Sequence, residues 1–104
     1  MFNLNDPELN DYFIAKKLST SIKTLIELSK NEDWCIRAAI AKNPNTPIEI
    51  LVELSKDEVY SVRWRLAENP NTPIEVLIEL TKDKNEYVNI CAQQIRMRRL
   101  HLLK

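Results

Sequence analysis

The sequence predicts an all-α protein, a short α-solenoid of two-helix repeats with a 26-residue period. The main observation is a repeated segment: NPNTPIEILVELSK begins at Asn43, and NPNTPIEVLIELTK begins at Asn69, with eleven of fourteen positions identical. Each copy is followed by a second segment whose apolar residues recur at helical spacing. Sequence periods of about 20–50 residues are typical of solenoids and other repeat arrays, in which each unit buries its apolar face against its neighbour.

The period extends in both directions from these two copies. STSIKTLIELSK, from Ser19, aligns with NTPIEILVELSK at the same offset, and LNDYFIAKKL, from Leu9, aligns as a preceding half-repeat. We therefore expect residues 1–104 to form a single repeat domain. Its predicted parts are an N-terminal half-repeat or cap at 1–18, repeats at 19–44, 45–70 and 71–94, and a C-terminal cap or tail at 95–104.

The first helix of each repeat has start signals in its sequence. Thr46 is a good N-cap residue, Pro47 suits the first helical position, and Glu49 completes a capping box; the same residues return one period later. The first repeat has Ser21 in place of the proline and Lys23 in place of the glutamate, so we expect its cap to be weaker.

The second helix of each repeat is predicted to begin near Asn31, Asp57 and Asp83, which are N-cap residue types. It must end before the Asn-Pro pairs at 43–44 and 69–70, because a residue that precedes proline avoids the α region. The Asn-Pro-Asn-Thr-Pro segment is therefore predicted to be the connector that stops one helix and starts the next.

Composition excludes several classes of site. The formal net charge is zero, 44% of residues are apolar, and glycine is absent, so no glycine-rich phosphate-binding loop can form. No segment approaches the roughly 20 apolar residues of a membrane span, and the N-terminus does not resemble a signal peptide. Cys35 and Cys91 have no ligand or disulfide spacing, and His101 has no partner residue. We expect a cytoplasmic protein with reduced thiols, no metal, no cofactor and no membrane partner.

The segment NPNTPIEVLIELTKD, followed in each repeat by a second half like YSVRWRLAENP, resembles the leucine-rich repeat variant family. The resemblance covers about residues 19–93. It implies a right-handed superhelix of α and 3₁₀ helices related to HEAT repeats. The family's usual period is shorter than the one in this chain, which favours two true α-helices in each repeat. Some relatives carry an iron–sulfur cluster on a separate cysteine-rich segment, and this sequence has no such segment.

Arginine and aromatic residues recur on the second helices, where successive units would form one surface. Such residues suit the recognition of a peptide or a phosphate group. The candidate binding residues are Arg37, Arg63, Arg65, Trp64, Trp34 and Tyr60. In the alternative interpretation, the aromatic residues pack between layers and the arginines pair with Glu32, Asp33, Glu58 and Glu68.

The C-terminal segment YVNICAQQIRMRRLHLLK continues the last helix without an Asn-Pro stop. It is amphipathic and carries Arg96, Arg98 and Arg99, so it is predicted to cap the array, with two alternatives: it forms a homodimer through the C-terminal helix, or it meets an acidic partner.

The functional hypothesis is a non-catalytic scaffold that binds a protein or peptide along the second-helix surface. The alternative is nucleic-acid binding by a basic ridge together with the basic tail. An enzyme is not expected, because no nucleophile–base pair, metal ligand set or phosphate loop is visible.

Overall fold

The structure is a computed structural model that describes residues 7–102, with side chains described from residue 9 to residue 101. Within this range the chain forms seven helices and no strand, which confirms the all-α prediction. The helices are α1 Pro7–Lys16, α2 Ile22–Leu28, α3 Trp34–Lys42, α4 Ile48–Leu54, α5 Tyr60–Glu68, α6 Ile74–Leu80 and α7 Glu86–Leu102. The ends of the predicted caps, residues 1–6 and 103–104, lie outside the described residues.

The helix bounds recur at the spacing of the sequence repeat. Helices α2, α4 and α6 begin at residues 22, 48 and 74 and each contains seven residues. Helices α3, α5 and α7 begin at residues 34, 60 and 86. We call α2, α4 and α6 the first helices, and α1, α3, α5 and α7 the second helices.

The second helices lie side by side in chain order, so that α1 packs on α3, α3 on α5 and α5 on α7. Each first helix packs against the second helices that precede and follow it. The molecule is elongated, with extents of 47 × 26 × 22 Å. The buried apolar residues of the described chain belong to one continuous core that runs along this length.

The core consists largely of positions that recur once in every period of the sequence. Alanines at three such positions let the second helices approach closely, and branched residues fill the space between the two helix layers. The repeated core positions are Ala15, Ala41 and Ala67; Leu25, Leu51 and Leu77; Leu28, Leu54 and Leu80; Ile36, Val62 and Val88; and Ile40, Leu66 and Ala92.

The second helices end where the Asn-Pro pairs predict. Asn43 follows α3 with φ −70° and ψ 121°, and Asn69 follows α5 with φ −73° and ψ 122°, which are extended conformations. Proline at the next position explains both, because it disfavours the α region for the residue before it.

The prediction that Thr46 and Thr72 cap the first helices is wrong. Helices α4 and α6 begin one residue after the prolines and have no side-chain cap bond. Instead, the buried Thr46 hydroxyl donates to the Ile40 carbonyl, and the Thr72 hydroxyl donates to the Leu66 carbonyl, both at 2.7 Å. The threonines therefore satisfy carbonyl groups in the last turn of the preceding helix, where helices leave acceptors without an internal partner.

The first repeat, expected to have the weaker cap, has a side-chain cap where the other two have none. Ser21 occupies the position of the proline, and its hydroxyl accepts a hydrogen bond from the Thr24 amide at 3.2 Å. Serine can do this because, unlike proline, it has a side-chain acceptor.

The prediction that Asn31, Asp57 and Asp83 are N-caps of the second helices is also wrong. Each accepts a hydrogen bond from the amide two residues later, at 2.8 to 3.0 Å, and so stabilises the turn before the helix. Asp33 caps α3 and Asn85 caps α7, whereas α5 begins after Val59 without a side-chain cap.

Among residues 7–102, no helix combines the length and apolar character that crossing a membrane requires.

Candidate interaction surface

Arg37 is held between two repeats rather than exposed for binding. Its Nε and Nη2 atoms donate to the two carboxylate oxygens of Asp57 at 2.8 and 3.2 Å. Its Nη1 atom donates to the carbonyls of Asn31 and Glu32, both at 2.9 Å. The guanidinium group therefore joins the turn before α3 to the turn before α5.

Arg63 repeats this arrangement one period later. It donates to both carboxylate oxygens of Asp83 at 2.8 and 3.1 Å, and to the Asp57 carbonyl at 2.6 Å. Only 8% of the Arg63 side chain and 9% of the Asp83 side chain are exposed, so this pair is shielded from water. We call the residues Arg37, Asp57, Arg63 and Asp83 the arginine–aspartate ladder.

The ladder shifts the pKa values of Asp57, Asp83 and Arg37. Burial alone would raise the pKa of Asp57, but hydrogen bonds from Arg37 and the Val59 amide outweigh it and lower the pKa below 3.8. The pKa of Asp83 is lowered in the same way, against its burial, by hydrogen bonds from Arg63 and the Asn85 amide. The hydrogen bond to Asp57 raises the pKa of Arg37 further above its ordinary value.

Both ends of the ladder are neutral. Asn31 occupies the position equivalent to Asp57, one period earlier, and Asn89 occupies the position equivalent to Arg63, one period later. The Asn89 side chain donates to the Asp83 carbonyl at 3.0 Å, as Arg63 does to Asp57. The ladder thus contains two arginines and two aspartates, and neither end leaves a charge without its partner.

Two predicted binding residues, Arg37 and Arg63, are thereby assigned to contacts between repeats. The alternative interpretation foresaw that they form ion pairs, but it named Glu32, Asp33 and Glu58, which are wrong. The signal that could have found Asp57 and Asp83 is their separation from the arginines, which is the same in both pairs.

The predicted aromatic residues do reach the surface of the second helices. Trp34 is 45% exposed and Tyr60 is 41% exposed, so neither ring is buried between units. Tyr60 and the half-buried Trp64 both stack against Tyr87, with ring centroids 6.2 and 5.9 Å apart. Tyr87 was not among the predicted residues, because it lies one position away from the aromatic column of Trp34 and Tyr60.

Arg65 lies at this surface beside the stacked rings. Its guanidinium carbon is 5.4 Å from the centroid of the Trp64 ring, and it forms a 2.9 Å ion pair with Glu68. This pair agrees with the alternative interpretation. About 42% of the Arg65 side chain is exposed, so it stays accessible to a partner in addition to Glu68.

A groove of about 540 Å³ opens on the same surface across α1, α3 and α5. Alanines of α3 are among the residues that line it, together with the aromatic rings of Tyr12 and Trp34 and the cations of Lys16, Lys42 and Arg65. None of the described residues that line it carries a carboxylate. The Lys16 ammonium lies 5.1 Å from the centroid of the Tyr12 ring. We call this feature the aromatic–basic groove.

The connectors bind the preceding unit through the buried side chains of Asn43 and Asn69. The Asn43 Nδ2 atom donates to the carbonyls of Ala15 and Lys17 at 2.8 and 3.0 Å. The Asn69 Nδ2 atom donates to the carbonyls of Ala41 and Asn43 at 2.8 and 3.1 Å. Each asparagine thus donates hydrogen bonds to carbonyl groups at the end of the preceding second helix and in the segment that follows that helix.

Arg99 donates hydrogen bonds to carbonyl groups of the last connector, as the asparagine side chains do to those of the preceding units. Its guanidinium donates to the carbonyls of Thr72, Asn69 and Pro70 at 2.6, 3.1 and 3.2 Å. Arg99 was predicted to contact a partner, and these internal bonds occupy it instead. They fit the prediction that the tail caps the array. Arg96 and Arg98 are exposed.

The two cysteines are poorly suited to nucleophilic chemistry. Burial, the main cause, raises the pKa of both thiols, and Asp33 adds to this at Cys35 as Glu68 does at Cys91. Both thiols are therefore protonated near neutral pH, the less reactive form. Within residues 7–102, no group of three or more metal-ligating side chains is assembled.

No protein-family model, curated protein or solved structure matches this chain. The resemblance to the leucine-rich repeat variant family stays a prediction that depends on the repeated motif.

Proposed function

We propose that the protein is a non-catalytic helical-repeat scaffold that binds an extended acidic peptide segment in the aromatic–basic groove. The observation that carries this proposal is the combination of three cations and two aromatic rings along one open groove, with no carboxylate among its described lining residues. Cations on a surface attract acidic partners and raise the rate of encounter. Aromatic residues supply most of the binding energy in many interfaces.

The scaffold part of the proposal is an α-solenoid of the leucine-rich repeat variant or HEAT type, with a 26-residue period and a right-handed superhelix. Its support is the recurrence of helix bounds, core positions and side-chain bonds at the same spacing. Solenoids present aligned residues from successive units along one face, and they commonly bind partners there.

The size of the groove favours an extended segment over a small molecule. Three adjacent helices at spacings of about 8–10 Å span roughly 20 Å, which is the length of about six extended residues. Lys16 and Arg65 are both positioned by aromatic rings, so less side-chain freedom is lost when they bind. We therefore expect acidic side chains to meet the cations while intervening apolar side chains contact Tyr12 and Trp34.

The test is a binding titration with a fluorescein-labelled peptide of about ten residues, in which glutamate alternates with leucine or phenylalanine, a length chosen to span the groove. We expect a rise in fluorescence anisotropy, together with a change in tryptophan emission that is lost in a Trp34→Ala variant. Replacing Lys16 and Lys42 with glutamate should weaken binding by about tenfold or more, because charge complementarity becomes repulsion.

The control variant changes the same charge elsewhere. Lys56 and Lys82 are exposed and lie outside the groove, so replacing both with glutamate should leave the affinity within about twofold after salt screening. An equal loss of peptide affinity in the Lys16/Lys42 and Lys56/Lys82 double variants would contradict the proposal that the groove is the binding site.

A second arm uses a labelled oligothymidylate. Tighter binding of this probe than of the peptide, with a steep loss of affinity as salt increases, would replace the peptide proposal with the nucleic-acid alternative.

A further inference from the structure

Helix α7 has an apolar stripe on the face that points away from the core. Tyr87, Ile90, Met97 and Leu100 are 64%, 43%, 70% and 48% exposed. Their spacing of three, seven and three residues places them on one side of the helix, opposite the buried Val88 and Ala92. Exposed apolar patches of this kind mark interaction sites more often than isolated surface residues do.

At Ile90 the stripe lies where a further unit would pack, whereas Tyr87, at the edge of the stripe, also stacks against Tyr60 and Trp64 of α5. Ile90 occupies the position equivalent to Trp64, and Trp64 stacks against Tyr87 of the next second helix. Within residues 7–102, α7 packs against α5 and α6. The described helices leave uncovered the part of α7 that corresponds to the Trp64 face of α5.

The intervals between the residues of the stripe are the same whether they are read from the N-terminal or from the C-terminal end of α7. Tyr87 and Leu100 are equally far from the midpoint between Gln93 and Gln94, and so are Ile90 and Met97. In a two-fold interface, residue i contacts residue j while j contacts i, so the interface must match itself in reverse. An antiparallel pair of α7 helices would place Tyr87 opposite Leu100 and Ile90 opposite Met97, with the two glutamines at the axis.

We propose that this stripe is a homodimer interface, in which α7 of one copy packs antiparallel against α7 of a second copy. The charges on the helix favour this orientation. Glu86 lies at its N-terminal end, and the exposed Arg96 and Arg98 lie towards its C-terminal end. Antiparallel packing brings the acidic end of each helix near the basic end of the other, whereas parallel packing would bring like charges together.

The interface is small. Seventeen residues of helix extend about 25 Å, and one helix face buries less than the roughly 800 Å² per partner of a standard interface. We therefore expect reversible dimerisation with a dissociation constant in the micromolar range, about 1 to 100 µM.

The first test measures the sedimentation velocity of the full chain from about 1 to about 500 µM, a range that brackets the expected dissociation constant. The wild type should shift from monomer to dimer over this range. Met97→Glu should keep the protein monomeric throughout, because its charge would be buried in the interface while the 70% exposed position leaves the monomer fold intact. Ile48→Glu, at a 55% exposed position on α4, is the matched control and should dimerise like the wild type.

The second test determines the orientation by disulfide trapping. Cys35 and Cys91 are first replaced with alanine, and Ile90→Cys and Met97→Cys are then made as separate proteins. Antiparallel packing predicts that an equimolar mixture forms mainly the mixed 90–97 disulfide when oxidised. Parallel packing predicts disulfides within each protein alone, because identical positions then meet.

A wild type that is monomeric at every concentration would overturn the proposal. A dimer unaffected by Met97→Glu would also overturn it, and so would trapping of 90–90 and 97–97 disulfides. None of these outcomes depends on the aromatic–basic groove, which lies on α1, α3 and α5. Met97→Glu should therefore bind the acidic peptide as the wild type does.

Discussion

The Asn-Pro-Asn-Thr-Pro connectors and the exposed face of the second helices differ in how closely their residues are repeated from one unit to the next. In the connectors, both copies have the same residues, and the Asn43 and Asn69 side chains bind the neighbouring unit. On the exposed face, equivalent positions differ: Trp34 is followed one period later by Tyr60 and two periods later by Glu86, and all three are exposed. The comparison teaches that the connector residues kept between copies hold the units together, while these exposed positions of the second helices change from unit to unit.

The difference follows from burial. Asn69 is fully buried, and its side chain must satisfy carbonyls that no water can reach. Trp34 is exposed to solvent, so we expect a change there to leave the contacts between units in place and to affect the proposed peptide binding. Mutations at the two regions should therefore separate stability from binding.

The largest predicted effect is at Asn69. Replacing it with alanine removes two donated hydrogen bonds and one accepted from the Asn71 amide, and the buried Ala41 carbonyl loses its side-chain donor, whereas the Asn43 carbonyl keeps the Thr46 amide. We expect the free energy of unfolding to fall by about 3–4 kcal/mol, a large share of the roughly 5–15 kcal/mol typical of a domain. Urea unfolding followed by circular dichroism measures this loss.

The control for this prediction is Asn71→Ala in the same connector. Asn71 is exposed and donates one side-chain hydrogen bond to the Pro44 carbonyl, which water can replace. Its loss should cost about 1 kcal/mol or less. Similar costs for Asn69→Ala and Asn71→Ala would show that burial does not separate the two asparagines.

The second prediction compares two arginines that lie two residues apart on α5. Arg63→Ala leaves the shielded Asp83 carboxylate without its ion-pair partner, so we expect a loss of about 2–3 kcal/mol in unfolding free energy. Arg65→Ala removes an exposed pair with Glu68, and the expected loss is below about 0.5 kcal/mol. In the peptide titration, Arg65→Ala should weaken binding more than Arg63→Ala does, because of the two arginines only Arg65 lines the groove.

The helices and the core were predictable because they depend on local spacing and on repetition. Apolar positions such as Leu25, Leu51 and Leu77 recur at the period and are fully buried, and the Asn-Pro pairs mark the helix ends. The roles of Thr46 and Asp57 were not predictable in the same way. A threonine before a helix is typical of an N-cap, and nothing local indicates that its hydroxyl serves the helix before it.

In the candidate site, too, the sequence predicted features that depend on the repeated pattern and missed those that depend on contacts between units. Aromatic residues at one column predicted an exposed surface, and Trp34 and Tyr60 are exposed there. Arg37 and Arg63 share such a column and yet lie between units, because their partners are distant in sequence and belong to the next unit. Tyr12 and Lys16 were missed because they belong to the preceding half-repeat, and only packing of α1 on α3 brings them to Trp34.

The smallest predicted effect is a loss of ladder stability in acid. The pKa values of Asp57 and Asp83 are lower in the folded protein than the ordinary value of 3.8. A carboxyl group of this kind stabilises the folded state above its unfolded pKa, and that contribution is lost as the pH falls through the folded pKa. The ladder should therefore contribute fully near neutral pH and weaken below about pH 4. The effect is smaller than removal of Arg63, because a protonated carboxyl group can still accept a hydrogen bond from arginine.

The measurement compares wild type with Asp57→Asn across this pH range, because other carboxyl groups also titrate and a single protein would mix their effects. Asp57→Asn keeps the size of the side chain and removes its charge. At pH 7 the variant should be less stable, and the difference should shrink as the pH falls below 3.8, since the wild-type carboxyl group then becomes neutral too. A difference that stays constant down to about pH 2.5 would mean that the charge of Asp57 adds nothing beyond its hydrogen bonds. The ladder would then join the units by geometry alone, as the buried asparagines of the connectors do.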